Sequence, residues 1–496
     1  MQAWLERVKA VNYLQIMLLK IRNFGPIREC DIDLSKNFTL IVGQNNIGKS
    51  YAISLVYVLL KVLSRRADHR FYSSYLYHQL GEVTTGAEWI DQVSARIDSP
   101  KATDSEIGIT RHIESYFATV LSATLLEELQ DTFEGTFNDL LNLQNRLCSD
   151  ALDFSIHLAG SSVTFGISEG KLLIKKVDLV DHEFLARVVK TNRSVKHGSK
   201  QSYVYAVKGN PDLFKTNVLN LMRDLATTFF NEGANIAATL HYLPASRSGL
   251  YQALSAFGQI IAELSKSRSY LTRKIELPAI SETVSDYFLK LSNIKTTPQS
   301  KVNKKFVEIA EKIETEILKG KVEFETKTKR LLYRPNKLKL TLDLSATSSM
   351  VSEISPIVSY LKYVLPAAEA NLMRMARWRV ADDARQIIII EEPEAHLHPE
   401  VQILLMDAFC ELVGETKTRI IITSHSNYIF NKVNNLVIGG KIAHDNLQAL
   451  VFESTSEGSR AVTLPVGKFG VDDENFADAS EKLYQERVEL IREKNK

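Results

Sequence analysis

The sequence predicts an α/β fold: a mixed sheet with flanking helices, an antiparallel β subdomain, and a helical then β-rich insertion. Two stretches carry that expectation. Gly43-Gln44-Asn45-Asn46-Ile47-Gly48-Lys49-Ser50 fits G-x-x-x-x-G-K-[ST]. The apolar run Phe38, Leu40, Ile41, Val42 before it reads as a buried strand, and Tyr51 to Val62 after it has a helical apolar pattern. Strand, glycine loop and helix in that order are the context the motif requires. Far away, Gln386-Ile387-Ile388-Ile389-Ile390 runs into Glu391-Glu392-Pro393-Glu394. Four β-branched residues in a row suit a strand buried on both faces of a parallel sheet.

Each stretch implies chemistry. Glycines let successive backbone N–H groups turn inward around phosphate oxygens, and the helix start adds partial positive charge. Lys49 can then reach the β- and γ-phosphates, and the Ser50 hydroxyl can hold Mg²⁺. A chance glycine-rich turn is the alternative, and the flanking strand and helix argue against it. Acids at the C-terminal end of a parallel strand face the crevice where open α/β sheets bind ligands. One can hold the Mg²⁺–water shell while its neighbour orients or deprotonates the attacking water. A solvated acidic turn is the alternative, and the loop at Lys49 weighs against it.

The 496 residues allow about two or three core-bearing units. A chain 45% hydrophobic and 24% charged is ordinary for a soluble protein, and a net charge of +2 predicts neither a nucleic-acid coat nor an acidic tail. Cys30, Cys148 and Cys410 fit no zinc spacing, so reduced thiols in the cytoplasm are expected. There is no apolar run long enough for a transmembrane helix and no signal-peptide core.

In chain order, Met17–Arg22 reads as the first strand and Asp31–Leu34 as its hairpin partner, across the turn Asn23-Phe24-Gly25-Pro26. From Ala67 to Leu147 the pattern is mostly helical, with Leu121, Leu125, Leu129 and Phe133 on one face. Alternation around Gly160 and Gly170 predicts a β-meander. Lys190–Lys208 reads as an exposed basic loop. Asn210-Pro211 starts a helix, and Thr239–Leu243 is a short strand ending in a loop with Arg247, placed to meet a phosphate, a partner or a surface acid. Residues 279–320 look helical. Val322/Phe324 and Leu338/Leu340/Leu342/Leu344 suggest a hairpin turning at Arg334-Pro335-Asn336. Ser345–Met350 opens a helix, where serines serve as N-caps or bind phosphate. Arg419–Thr423 is a strand ending in Ser424-His425-Ser426. His396 and His398 alone do not make a metal site.

The order of these motifs resembles the ABC-type ATPase head of the RecF, SMC and OLD group, over residues 17–65, 239–250 and 338–440. The resemblance implies ATP and Mg²⁺ as ligands. Gly43, Asn45, Asn46, Gly48, Lys49, Ser50 and Tyr51 would bind the nucleotide. Ser50 and Glu391 would hold the metal. Glu392 would be the catalytic glutamate, His425 the switch histidine that senses the γ-phosphate. Ser348 and Ser349 fall where the group has its signature, without its glycines. Such a signature acts on ATP held by a second subunit, so a homodimer closed over two ATP molecules is expected. Gln252 is the candidate for the Q-loop glutamine. The implied division is residues 1–65 and 239–440 as the head, 66–238 and 263–337 as insertions, and 441–496 as a tail.

Within the group, a compact insertion without coiled-coil arms resembles the ATPase subunits of Septu- and PARIS-type anti-phage systems. That implies a sensor controlling a separate nuclease or toxin. The alternative is a RecF-like repair ATPase that contacts DNA directly, motivated by the basic stretches 190–208 and 319–339. A transporter subunit is disfavoured by the missing LSGGQ and the large insertion.

Overall fold

A computed structural model describes residues 17–68, 87–98, 106–253 apart from 159, 181 and 199, 280–294, 303–376, 385–471, 486–488 and 492. Three strands open the fold. β1 (Leu18–Phe24) and β2 (Ile27–Asp33) form the expected antiparallel hairpin, and β3 (Phe38–Gly43) feeds helix α1 (Lys49–Asp68). Helices α2 (Glu88–Asp98) and α3 (Thr110–Phe137) follow, with the short strand β4 (Glu106–Gly108) between them. The meander is β5 (Asp153–Leu158), β6 (Ser161–Ser168) and β7 (Lys171–Leu179).

The basic stretch differs from the expected loop. Within it lie β9 (Lys196–His197) and β10 (Gln201–Ala206), and β10 runs parallel to β8 (Glu183–Val188) in a four-stranded sheet, β4-β8-β10-β9. Ser202, Val204 and Ala206 alternate inward there, a period-2 signal that the surrounding lysines obscure.

Helix α4 (Pro211–Ile236) starts on Asn210, whose side chain accepts from Leu213 N at 3.2 Å. It leads to β11 (Thr239–Leu243). Helices α5 (Glu282–Ser292) and α6 (Lys304–Ile313) precede the hairpin β12 (Gly320–Glu325) and β13 (Arg330–Pro335). That hairpin turns at 326–329, not at Arg334-Pro335-Asn336, and Leu338 and Leu340 lie exposed. β14 (Leu342–Asp343) pairs with β13, and helix α7 (Ser349–Ser359) follows on the N-cap Ser348. Helix α8 (Leu365–Ala376) precedes β15 (Gln386–Glu391). The remaining elements are α9 (Pro399–Glu415), β16 (Thr418–Ser424), α10 (Asn427–Ile438), β17 (Leu447–Thr455) and β18 (Gly458–Leu464).

The main sheet has the order β11-β15-β16-β3-β17-β18-β2-β1-β5-β6-β7 among the described residues. It is mixed: β11, β15, β16, β3 and β17 run parallel, and β1, β2, β5, β6 and β7 pair antiparallel. Strands from residues 153–179 and from 447–464 thus join the same sheet as the loop strand. Both faces are covered. Ile387 and Ile389 pack toward α1, α3 and α4, while Ile388 and Ile390 pack toward α6, α7, α9 and α10. Burial on both sides explains why the strand reads as a continuous isoleucine run.

Because the strands are parallel, the C-terminal ends of β11, β15, β16 and β3 meet at one edge. That edge carries Pro244–Arg247, Glu391–Glu394, Ser424–Ser426 and the glycine loop.

Candidate nucleotide-binding and catalytic site

The loop Gly43–Ser50 is built on backbone that few side chains tolerate. Gly43 has φ +148°, Asn46 +58° and Gly48 +101°. A Cβ on Gly48 would lie 2.8 Å from Ile27 Cγ1, and one on Gly43 would lie 2.9 Å from the Phe452 carbonyl oxygen. Glycine is therefore required at both by conformation and by close packing. Gln44, Asn45 and Asn46 are exposed, leaving an open rim.

Lys49 is buried, at 5% exposure, and its ammonium donates to the carbonyls of Gly43 (3.0 Å) and Gln44 (2.6 Å). The cation thus holds the loop shape from within. Burial lowers its pKa to about 8, although Glu392, Glu394 and Glu391 pull the other way. Ser50 is exposed at the first turn of α1. Tyr51 is 40% exposed and packs edge-on to Phe24 (6.2 Å between centroids) and beside Phe137 (5.9 Å). Its ring lies where a Cβ on Gly25 would stand, 2.7 Å from Tyr51 Cδ1, so the glycine of the β1–β2 turn makes room for it.

Opposite the loop, Glu391 and Glu392 have different surroundings. The Glu391 carboxylate accepts from the Tyr242 hydroxyl (2.8 Å) and from Ala245 N (3.1 Å). The end of β11 therefore fixes its orientation. Glu392 sits at φ +41°, a left-handed conformation unusual for glutamate, and its N–H donates to the Thr423 carbonyl at 2.9 Å. Its Oε1 lies 3.4 Å from His425 Nε2. That contact, with Lys49 nearby, holds the Glu392 carboxyl below its ordinary pKa against the opposing effect of burial. His425 Nδ1 lies 3.4 Å from Lys49 Nζ. Lysine, histidine and glutamate thus form one line across the ends of β3, β16 and β15.

Glu394 orients the histidine. Its Oε1 accepts from Ser424 Oγ (2.9 Å) and from His425 N (2.6 Å), while Oε2 is buried without a hydrogen bond. Burial pushes its pKa up.

Other expected residues lie outside that line. Arg247 is fully buried and so is not placed to pair with a surface acid. Gln252 lies on the helical turn 247–253, and at the β11 end it is Tyr242 and Ala245 that hold Glu391. Ser348 and Ser349 are exposed at the start of α7, and the Ser348 hydroxyl accepts from Val351 N at 3.5 Å. Helix α7 packs on β12, β13 and α6. Tyr242, Glu394 and Glu353 were not singled out from the sequence. A usable signal existed for Glu353: it is the one charge in the apolar helix Ser349–Ser359 and needs a buried cation.

The residues fit a magnesium–nucleotide pair. The loop is a preformed cradle of backbone amides at a helix N-terminus, and hard oxygen donors come from Ser50 and the acidic turn. No cluster of three or more His, Cys, Asp or Glu able to hold a metal alone exists among the described residues. Magnesium bound through phosphates needs only one or two protein oxygens.

Fold and site together define an ATPase head of the P-loop class. The chain matches the AAA ATPase domain over residues 15–359 and 244–430, and it belongs to that family. No curated protein matches it in sequence. Similar solved structures include the SMC head bound to the C-winged helix domain of ScpA, at 12% identity over 91% of this chain and 98% of that chain, with a TM-score of 0.35. The SMC head domain from Thermotoga maritima shares 10% identity over 91% and 99%, with a TM-score of 0.32. The Pyrococcus furiosus Smc head with an extended coiled coil, bound to the C-terminal domain of ScpA, shares 12% over 96% and 99%, with a TM-score of 0.33. At these scores the architecture rests on the strand order given above. No helix among the described residues is long and apolar enough to cross a membrane.

Proposed function

We propose that this chain binds and hydrolyses ATP as a slow switch, closing a head-to-head homodimer that controls a separate effector, a nuclease or toxin, in anti-phage defence. The observation that carries the ATPase reading is the convergence of Lys49, Glu392 and His425, with contacts of 3.4 Å on both sides of the histidine ring. The loop amides and Lys49 would bind the β- and γ-phosphates. Ser50 and Glu391 would hold Mg²⁺, which supplies charge neutralisation at the phosphates. Glu392 would orient the attacking water and His425 would sense the γ-phosphate. A carboxylate held below its ordinary pKa is a weak proton acceptor, which suits slow turnover and a switch. Exposed Ser348 and Ser349 suit a signature that meets ATP on a second copy.

The defence role is supported by the resemblance to Septu- and PARIS-type subunits. It is tested by mass photometry of Glu392→Gln with ATP, mixed with the product of the neighbouring gene. A stable complex indifferent to duplex DNA supports the effector reading. A DNA-dependent assembly without a protein partner overturns it.

One observation favours a second reading, a RecF-like ATPase that contacts DNA. Residues 183–208 carry six basic side chains and one acid, against +2 for the whole chain. On the small sheet the Arg187 guanidinium lies 5.1 Å over the Tyr203 ring and that of Arg193 5.9 Å over Tyr205. The exposed guanidinium groups suit phosphates and the half-buried Tyr203 ring suits a base, while Tyr205 is buried. Under this reading DNA affinity falls steeply with salt, and Lys190→Glu with Lys196→Glu flattens the slope. Salt-independent or absent binding removes it.

A further inference from the structure

Arg247 is the largest fully buried side chain among those described, at 0% exposure. An arginine cannot shed its charge, so its burial needs partners. They come from three separate segments. Nη1 donates to the carbonyls of Glu391 (2.7 Å) and Pro244 (3.3 Å). Nη2 donates to the carbonyl of Glu392 at 3.3 Å and lies 3.4 Å from Glu353 Oε2. Nε donates to the Glu353 carbonyl at 3.4 Å. Glu353 is 2% exposed, and its Oε1 accepts from Ser248 Oγ (2.6 Å) and Ser248 N (3.2 Å). Its Oε2 has no hydrogen bond. Behind the pair, the Tyr287 hydroxyl donates to the Arg247 carbonyl at 3.0 Å, and its ring stacks on Tyr360 just beyond α7.

The distances are unequal in an informative way. One arm of the guanidinium is held firmly by Glu391. The other is shared at long range between the Glu392 carbonyl and an acid on α7. Glu392 is the residue with the unusual φ of +41°, and α7 is the helix that begins at Ser348 and Ser349. Both contacts are long, so this nitrogen, with one N–H for each, has room to tighten on either partner.

We infer that Arg247 is a positioning residue that couples the acidic turn to α7 through Glu353, so that the carboxylate geometry at Glu392 and the placement of Ser348 and Ser349 change together. This rests on the ATPase reading above. ATP would act on the acidic turn, and Arg247 would carry that change about one helix diameter away to the face that meets a second copy. The arm tied to Glu391 is the fixed point, and the shared arm is the moving one.

The test uses the full chain and Glu353→Gln, which keeps shape and removes charge, beside Arg247→Lys, which keeps charge and removes the fork. Thermal melting reports folding, fluorescent-ATP titration reports binding, and amide hydrogen exchange over residues 349–355 with and without Mg–ATP reports the helix. In the parent, ATP is expected to change exchange in α7. In Glu353→Gln, ATP binding stays within about twofold, turnover falls at least about tenfold, and the ATP-dependent exchange change disappears. Combining it with Glu392→Gln should add little further loss, since both act through one carboxylate. An undiminished exchange response and turnover in folded Glu353→Gln overturns the coupling. So does a loss of turnover explained by the unfolded fraction alone. If Glu353→Gln does not fold, Arg247→Lys carries the same readouts. A folded parent that binds no ATP overturns the ATPase reading itself, whereas a parent that binds ATP while α7 stays unresponsive overturns only the coupling.

Discussion

His425 Nε2 lies 3.4 Å from Glu392 Oε1, and the two side chains leave the ends of neighbouring parallel strands. The pairing of Glu391 with Thr423 sets this meeting. A slip of one residue would turn the side chains to the other face and separate them.

Glu392→Gln should therefore keep ATP and hold the closed dimer while turnover falls about 100-fold or more. Lys49→Ala should lose nucleotide, because it removes both the phosphate cation and the ammonium that ties the carbonyls of Gly43 and Gln44. Fluorescent-ATP binding and phosphate release measure the two effects separately. Full turnover in Glu392→Gln would place the base elsewhere.

Nucleotide affinity should depend on pH through Lys49. Its pKa near 8 in the free protein lies below the ordinary 10.5. Phosphate beside it favours the ammonium, so the bound form keeps its proton to higher pH. Affinity is then insensitive to this group below about pH 8 and weakens as pH rises above it, with proton uptake on binding. For folding the sign is opposite: the burial penalty on the cation is fully present below the folded value and is relieved as pH rises toward the unfolded one. Calorimetry in buffers of different ionisation enthalpy reads the proton. Equal affinity from about pH 7 to about pH 9.5 would remove this assignment.

Two glycine substitutions separate strain from packing. Gly209→Ala meets open space at φ +73° and should cost only the backbone penalty, about 1–2 kcal/mol. Gly48→Ala adds a Cβ 2.8 Å from Ile27 Cγ1 at φ +101°, so it should cost more in urea unfolding and also abolish ATP binding. Equal losses in both would mean that the loop relaxes around the methyl group.

A third group concerns stability alone. Asp286 accepts from Tyr57 Oη (2.7 Å) and pairs with Lys290 (3.1 Å) and Lys61 (3.5 Å). Burial raises its pKa, yet Lys290, Lys61 and the tyrosine outweigh that and hold it at about 2. A depressed carboxylate stabilises the fold above its unfolded value of 3.8 and loses that contribution as pH falls toward 2. Asp286→Asn should cost about 3 kcal/mol near neutrality, because Lys290 loses its counter-charge and Lys61 is left with Glu282 (2.8 Å) alone. The difference from the parent should shrink in acid; a constant difference would assign the cost to packing.

The helix starts were legible because their causes are local. Asn210 and Ser348 cap the helices they precede, as side chains placed one residue ahead of a turn do. The hairpin turn was misplaced because Pro335 looks like a turn residue but ends strand β13, where it pairs with Gly320. The strand inside the basic stretch is obscured because Lys196, Lys200 and Lys208 flank its short buried alternation.

By itself the sequence determined the glycine loop, its flanking strand and helix, and the strand ending in paired acids. These follow from φ preference, burial period and chemistry within a few residues. Only the tertiary structure decided that the ends of β11, β15, β16 and β3 meet, that Tyr242 holds Glu391, and that Arg247 is buried on Glu353. Tyr242 and Glu391 are 149 residues apart in the chain, and Arg247 and Glu353 are 106 apart. Alternation says which face of a strand is buried, but which strand lies beside it is set by packing over the whole sheet.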